Sequence, residues 1–134
     1  MSIVSTIAVS GLNAASLRLQ VAASNIANSR SDGPLPDAAN AGSFSAAYTP
    51  LQVKQSDVVG GGTSATVTAV SPATVSIFDP TAPFANSNGM VASPNVDLAS
   101  EFVQLLAARL SYAANVAVIR ADAQMSASLL NITA

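Results

Sequence analysis

The sequence predicts a mainly α chain with a small β insert, built as one long helix at each end and a short hairpin-rich segment between them. Three observations carry that prediction. Apolar residues recur at alternating steps of four and three over both ends of the chain, the spacing that keeps one stripe on one helix face. From Pro94 to Leu130 there is no further Pro and no Gly to break a helix. The middle, by contrast, is punctuated by Gly and Pro and alternates in short runs.

The N-terminal stripe is Met1, Ser5, Ala8, Leu12, Ala15, Leu19, Ala22 and Ile26. All but Ser5 are apolar, so a helix is predicted from Ser2 to about Asn28. Gly11 costs such a helix up to about 1 kcal/mol relative to Ala, or else permits close packing against a second helix. Asn28 tolerates a left-handed C-cap, and Ser29 to Pro34 come next as polar or breaking residues.

The C-terminal stripe runs from Leu98 through Phe102, Leu105, Arg109, Tyr112, Val116, Ile119, Ala123 and Ser126 to Leu130. A second apolar row, Val103, Leu106, Leu110, Ala113 and Ala117, lies beside it. One partner helix cannot cover both rows, so the second is left for other subunits. Asp97 stands at the N-cap, and Glu101 in the first turn suits the positive end of the helix dipole. A continuous helix here is roughly 50 Å long at about 1.5 Å per residue, too long for a compact domain of this size.

Ser29 to Ser43 has no periodicity and reads as a loop with some freedom. Short strands are predicted at Tyr48–Gln55, Thr63–Val70, Thr74–Phe78 and Met90–Ala92. Gly60, Gly61 and Gly62 form a hinge or loop tip, Asp79, Pro80 and Pro83 stop pairing, and Asn88-Gly89 signals a turn. The expected organisation is thus residues 1–28 and 94–134 as one helical unit and 29–93 as loop and β insert.

Composition narrows the function. Half of the 134 residues are hydrophobic, but only 9% are charged, against about 25% in an average globular protein. Such a surface is expected to be covered by other subunits. Net charge is −2, and the five basic residues are scattered singly, so no clustered basic face exists for nucleic acid. The chain has no cysteine and no histidine. It therefore has no thiolate nucleophile and no imidazole base, and lacks the commonest transition-metal ligand. The carboxylates stand apart except Asp97 and Glu101, whose spacing fits helix capping better than catalysis. No catalytic residue, cofactor, metal or small-molecule substrate is expected. The N-terminus lacks the basic start and unbroken apolar run of a cleaved signal, and no transmembrane segment is expected. Asn131-Ile132-Thr133 spells a glycosylation acceptor but is too short to carry weight. Arg109, inside the apolar stripe, either snorkels to solvent or pairs with a carboxylate of a neighbouring subunit; the second is favoured.

Two stretches carry a family resemblance. Gly11 to Asn28 closes on Ala23-Ser24-Asn25-Ile26-Ala27-Asn28. The run from Asp79-Pro80 through Asn88-Gly89 and Pro94-Asn95-Val96 leads into Ser111-Tyr112-Ala113-Ala114-Asn115-Val116. In this order they resemble the axial proteins of the bacterial flagellum, and among them the proximal-rod, FlgC-type basal-body proteins. The chain departs from that pattern at Tyr48, followed by Thr49-Pro50-Leu51 without a basic cluster, and at Met90 after the turn glycine.

The resemblance implies a structural subunit of the basal-body rod that transmits torque, with the two terminal helices antiparallel in a coiled coil. It implies helical stacking into a tube spanning the periplasm, and export through the flagellar type III apparatus without signal cleavage. The implied partners are copies of the chain, other rod proteins and the junction of the MS ring with the rod adaptor. An export-linked or cell-wall-binding module is the alternative. The residues expected at helix and subunit interfaces are Leu12, Leu19, Ile26, Phe102, Leu105, Arg109, Tyr112, Val116 and Ile119 from the stripes, and Leu106 and Leu110 from the second row. Asn25, Asn28 and Asn115 join them from the motifs.

Overall fold

The computed structural model describes residues 2–39 and 41–132. Met1 of the N-terminal stripe and Thr133 of the glycosylation triplet lie outside the described residues. Two helices, α1 (Ile3–Ala27) and α2 (Leu98–Ile132), flank two antiparallel hairpins. Strands β1 (Leu51–Asp57) and β2 (Thr63–Ala69) form one two-stranded sheet, and β3 (Thr74–Phe78) and β4 (Met90–Pro94) the other.

Both ends of α1 are explained by capping chemistry. The Ser2 hydroxyl accepts the Ser5 N–H at 3.1 Å, satisfying one of the free donors of the first turn. At the other end Asn28 is the C-cap, but with φ −104° and ψ 11° it is not left-handed. Its Nδ2 instead donates to the Ser24 carbonyl at 2.9 Å, so the side chain closes the helix without the left-handed turn. At the start of α2, the Ala99 N–H donates to Asp97 Oδ1 at 3.1 Å, as a capping aspartate should.

The helices lie antiparallel. Gly11 meets Asn115, and Asn25 meets Glu101, so the step along α1 equals the step back along α2. Hairpin β1–β2 lies on a second side of α1. It begins beside Asn25, and its tip reaches Ile7 and Ser10, where the Thr63 N–H donates to Ser10 Oγ at 3.0 Å. Gly60, Gly61 and Gly62 take φ of +94°, +98° and +96°, values that L side chains rarely adopt, and so make the tight connection.

The loop expected over Ser29–Ser43, of which Asn40 lies outside the described residues, is tethered at Gly33. Gly33 bridges Ala92 through two backbone hydrogen bonds of 2.9 Å, adding a third short rung beside β4. A Cβ at Gly33 would lie 2.3 Å from the Ala47 nitrogen, so only glycine passes between these backbones. Nearby, Phe44 and Phe84 meet edge to face at 5.7 Å.

The core is made of small side chains. Ala8, Ala15, Ala22 and Ala108 are buried at the helix pair, Ala14 is buried on the side of α1 toward β2, and Val91, Asn25 and Pro50 are the largest side chains fully buried. At about 25 cal/mol per Å² of apolar surface, alanines supply little each, while many larger apolar residues remain outside. On length and composition alone, one helix departs from the expectation that no window is apolar enough to cross a membrane. That helix is α2, whose most apolar stretch has a mean hydropathy of 1.5. Alanine and valine raise that figure without supplying bulk.

Candidate functional site

The chain's polar chemistry converges on Asn25, which is fully buried near the end of α1. Its Nδ2 donates to the Leu51 carbonyl at 2.8 Å and to Glu101 Oε1 at 2.7 Å. Its Oδ1 accepts the Leu51 N–H and the Tyr48 hydroxyl, each at 3.0 Å. Because the tyrosine proton goes to Asn25, the Ser24 hydroxyl at 3.0 Å donates to the tyrosine oxygen. Every donor and acceptor of the amide is thus used. One side chain joins α1, the start of β1 and the first turn of α2.

The middle of the helix pair is set by size. A Cβ at Gly11 would lie 2.6 Å from Asn115 Oδ1 and 2.8 Å from its Cγ, so the asparagine occupies the space a side chain would need. Asn115 Nδ2 donates along its own helix to the Ser111 carbonyl at 2.8 Å. Gly11 is therefore the point of close approach that its position in a helix anticipates.

At the far end the hydroxyls of Ser2 and Ser5 both donate to Asp122 Oδ2, at 2.5 Å. No acidic residue stands in the first turn of α1, so α2 supplies the negative charge that the helix start favours. The bond from Ser2, then that from Ser5, holds the Asp122 carboxyl below the ordinary carboxylate range.

The predicted interface residues divide between two environments. Leu12, Leu19, Ile26 and Asn28 are half-buried and Asn25 is buried; Leu105, Asn115, Val116 and Ile119 on α2 are half-buried. Phe102 (53%), Leu106 (61%), Leu110 (73%), Tyr112 and Arg109 are exposed. The row of α2 beneath α1 runs through Glu101, Leu105, Ala108, Ser111, Asn115, Ile119 and Asp122. It is rotated from the stripe of large apolar residues because close approach at Gly11 and the alanines of α1 favours small and polar partners. Glu101, Tyr48 and Asp122 were missed as contact residues. The one signal for the two acids was the heptad spacing Glu101, Ala108, Asn115, Asp122.

Two shallow clefts flank α1. One, of about 270 Å³, lies between Arg18, Val21, Leu51, Val53, Glu101 and Gln104; the other lies between Ser10, Asn13, Leu17 and the start of β2. Among the described residues no group of three or more acidic, histidine or cysteine side chains comes together to hold a metal.

Comparison with known proteins converges on one family. Residues 6–34 match the model described as flagella basal body rod protein, and residues 87–132 match that described as flagellar basal body rod FlgEFG protein C-terminal. The chain is 34% identical to the flagellar basal-body rod protein FlgC of Agrobacterium fabrum, over 98% of its own length and 94% of the relative's. To the protein of that name from Salmonella typhimurium it is 36% identical, over 94% of this chain and 92% of the relative. A shorter match, 43% identical, covers 42% of the chain and 37% of its Bacillus subtilis counterpart.

Proposed function

The chain belongs to the flagellar basal-body rod proteins of the FlgC type, and on that premise we propose that its outer α2 face is the surface by which subunits stack into the proximal rod. It is a structural subunit of the flagellar basal body, not an enzyme, and it assembles with other rod components.

The observation that carries the stacking reading is the exposure of Phe102, Val103, Leu106 and Leu110 along one side of α2, at 53, 64, 61 and 73%. A contiguous apolar face of this kind is unfavourable in water and calls for a protein cover. Repeating one heterologous contact without closure yields a filament, the geometry of a drive shaft. In this reading residues 1–28 and 94–134 pair as an antiparallel coiled coil in the inner layer, and residues 29–93 face neighbouring subunits. Leu12, Leu19, Asn25, Ile26, Leu105, Asn115, Val116 and Ile119 hold the pair; Phe102, Leu106, Arg109, Leu110 and Tyr112 serve subunit contacts.

The apolar length of α2 then serves assembly rather than membrane crossing. Glu101, Asn115 and Asp122 on the face toward α1 support this, since each is bonded to or packed on a residue of α1. The same reading places the subunit across the periplasm, after export by the flagellar type III apparatus without cleavage, with the MS-ring and rod-adaptor junction among its contacts. Because the core is largely alanine, order in the terminal helices is coupled to assembly. Hydrogen exchange on the dilute monomer tests this: weak amide protection in α1 and α2 is expected, and strong protection in both would count against it.

A further inference from the structure

We propose that one heptad row of α2, Glu101, Ala108, Asn115 and Asp122, is a register code that fixes where α2 sits along α1. The apolar seam of α1 cannot do this alone. Ala8, Ala15 and Ala22 repeat at heptad spacing, as do Leu12, Leu19 and Ile26. Sliding α2 by one heptad, about 10 Å at about 1.5 Å per residue, would present it with an equivalent seam.

The α2 row breaks that degeneracy, because each polar member has a counterpart on α1 that does not recur one heptad away. Glu101 accepts from Asn25, and the position one heptad before Asn25 is Arg18, which cannot make the same junction with Leu51. Asn115 fits over Gly11, the one glycine of α1, while the positions one heptad away, Val4 and Arg18, carry side chains that would fill the space. Asp122 takes two hydroxyl donors at the start of α1, where the free N–H groups also favour a carboxylate. Slipped one way, Glu101 meets the opposite charge of Arg18, but Asn115 meets Val4 and Asp122 loses both hydroxyls; slipped the other way, Asn115 meets Arg18 and Asp122 faces Val9 and Leu12. Single buried polar residues are known to select register at seams of this kind. Ala108, fully buried between the pins, provides the close contact but no selection.

The consequence is a fixed overhang. With Asp122 held at the start of α1, the rest of α2 extends past it, and Met125 is 58% and Ile132 81% exposed. On the rod reading, that overhang has to be the same length in every subunit.

Disulfide trapping in intact cells making the full chain tests the code against a background without cysteine. One turn on from Gly11 is Ala15, and one turn back from Asn115 is Ser111, so Ala15→Cys with Ser111→Cys reports the native register. Ala8→Cys or Ala22→Cys with Ser111→Cys reports a slip of one heptad. The otherwise unaltered chain should give the native cross-link. Adding Asn115→Ala and Asp122→Ala should raise the slipped cross-links about tenfold relative to the native one. Retention of the native cross-link alone would overturn the proposal. If the double variant forms neither, the single variant Asp122→Ala, which removes the acceptor of both hydroxyls, is read in its place: a smaller rise in the slipped cross-links is expected, and the native cross-link alone would again overturn the proposal. Co-sedimentation with basal bodies is scored separately: a native cross-link in a chain that never enters them would count against the rod reading and leave the register code standing.

Discussion

α1 and α2 draw on the same few residue types, yet α1 is enclosed on two sides while α2 is covered along one narrow row. The difference comes from the hairpin next to α1 in the chain. Past Ala27 the backbone turns back through β1 and β2, which lie on Ala14, Val21 and Asn25 and bury them. Among the described residues nothing does the same for α2, whose Val103, Leu106 and Leu110 remain outside. Hydrophobicity by itself does not say where a helix goes; the elements that its own chain can bring to it decide which face is left for others.

The contrast can be broken most severely on the exposed side. Replacing Leu106 and Leu110 by Asp should abolish motility and remove the chain from purified basal bodies, while it is still made and exported. Swim halos and immunoblots of basal bodies check this, and normal swimming would remove α2's outer face from the assembly. Leu105→Asp, on the covered row, should be equally damaging by a different route, through separation of the two helices.

Next in size is Asn25→Ala, which leaves the Leu51 backbone and Glu101 without their buried partner and should cost about 2–4 kcal/mol. Its readout is a fall in chain recovered in basal bodies and faster proteolysis after Arg18 and Lys54. Gly11→Ala should cost about 1–3 kcal/mol by collision with Asn115. Adding Asn115→Ala should restore most of the assembled yield, and absence of any rescue would mean that the two residues do not share that space.

The smallest effect belongs to Asp122. Its carboxyl is held below the ordinary range in the folded chain, so it binds a proton less readily than when unfolded. The contribution is full above the unfolded pKa and is lost as pH falls through the folded one. Basal bodies carrying Asp122→Asn should therefore be slightly weaker near neutrality and show a shallower loss of this subunit on acidification than the parent.

Much of this was legible in the residues themselves. Ser2 and Asn28 bound α1, Asp97 opens α2, and the Gly60–Gly62 and Asn88-Gly89 signals fall at the two hairpin turns. Those features depend on local chemistry. The covered row of α2 depends on something a single helix does not show, since apolar ranking picked out Phe102 and Tyr112 while close packing selected Ala108 and Asn115. The Asn25 junction was equally hidden, because Tyr48, Leu51 and Glu101 become neighbours only once both helices and β1 are placed. Tethering of Gly33 to Ala92 turned an aperiodic stretch into a third short rung for the same reason.

The Gly60–Gly62 turn bears on how this subunit can be seen by microscopy. It looks like a free tip suited to carrying a label, but a Cβ at Gly61 would come within 2.8 Å of Ile7, and one at Gly62 within 2.6 Å of Ser10. Those two glycines clasp the hairpin to α1, and an inserted tag there would pry it away. Gly60 meets nothing within 4 Å and the neighbouring Val59 is fully exposed, so an epitope spliced between them would stand clear of the helix and mark the subunit's position.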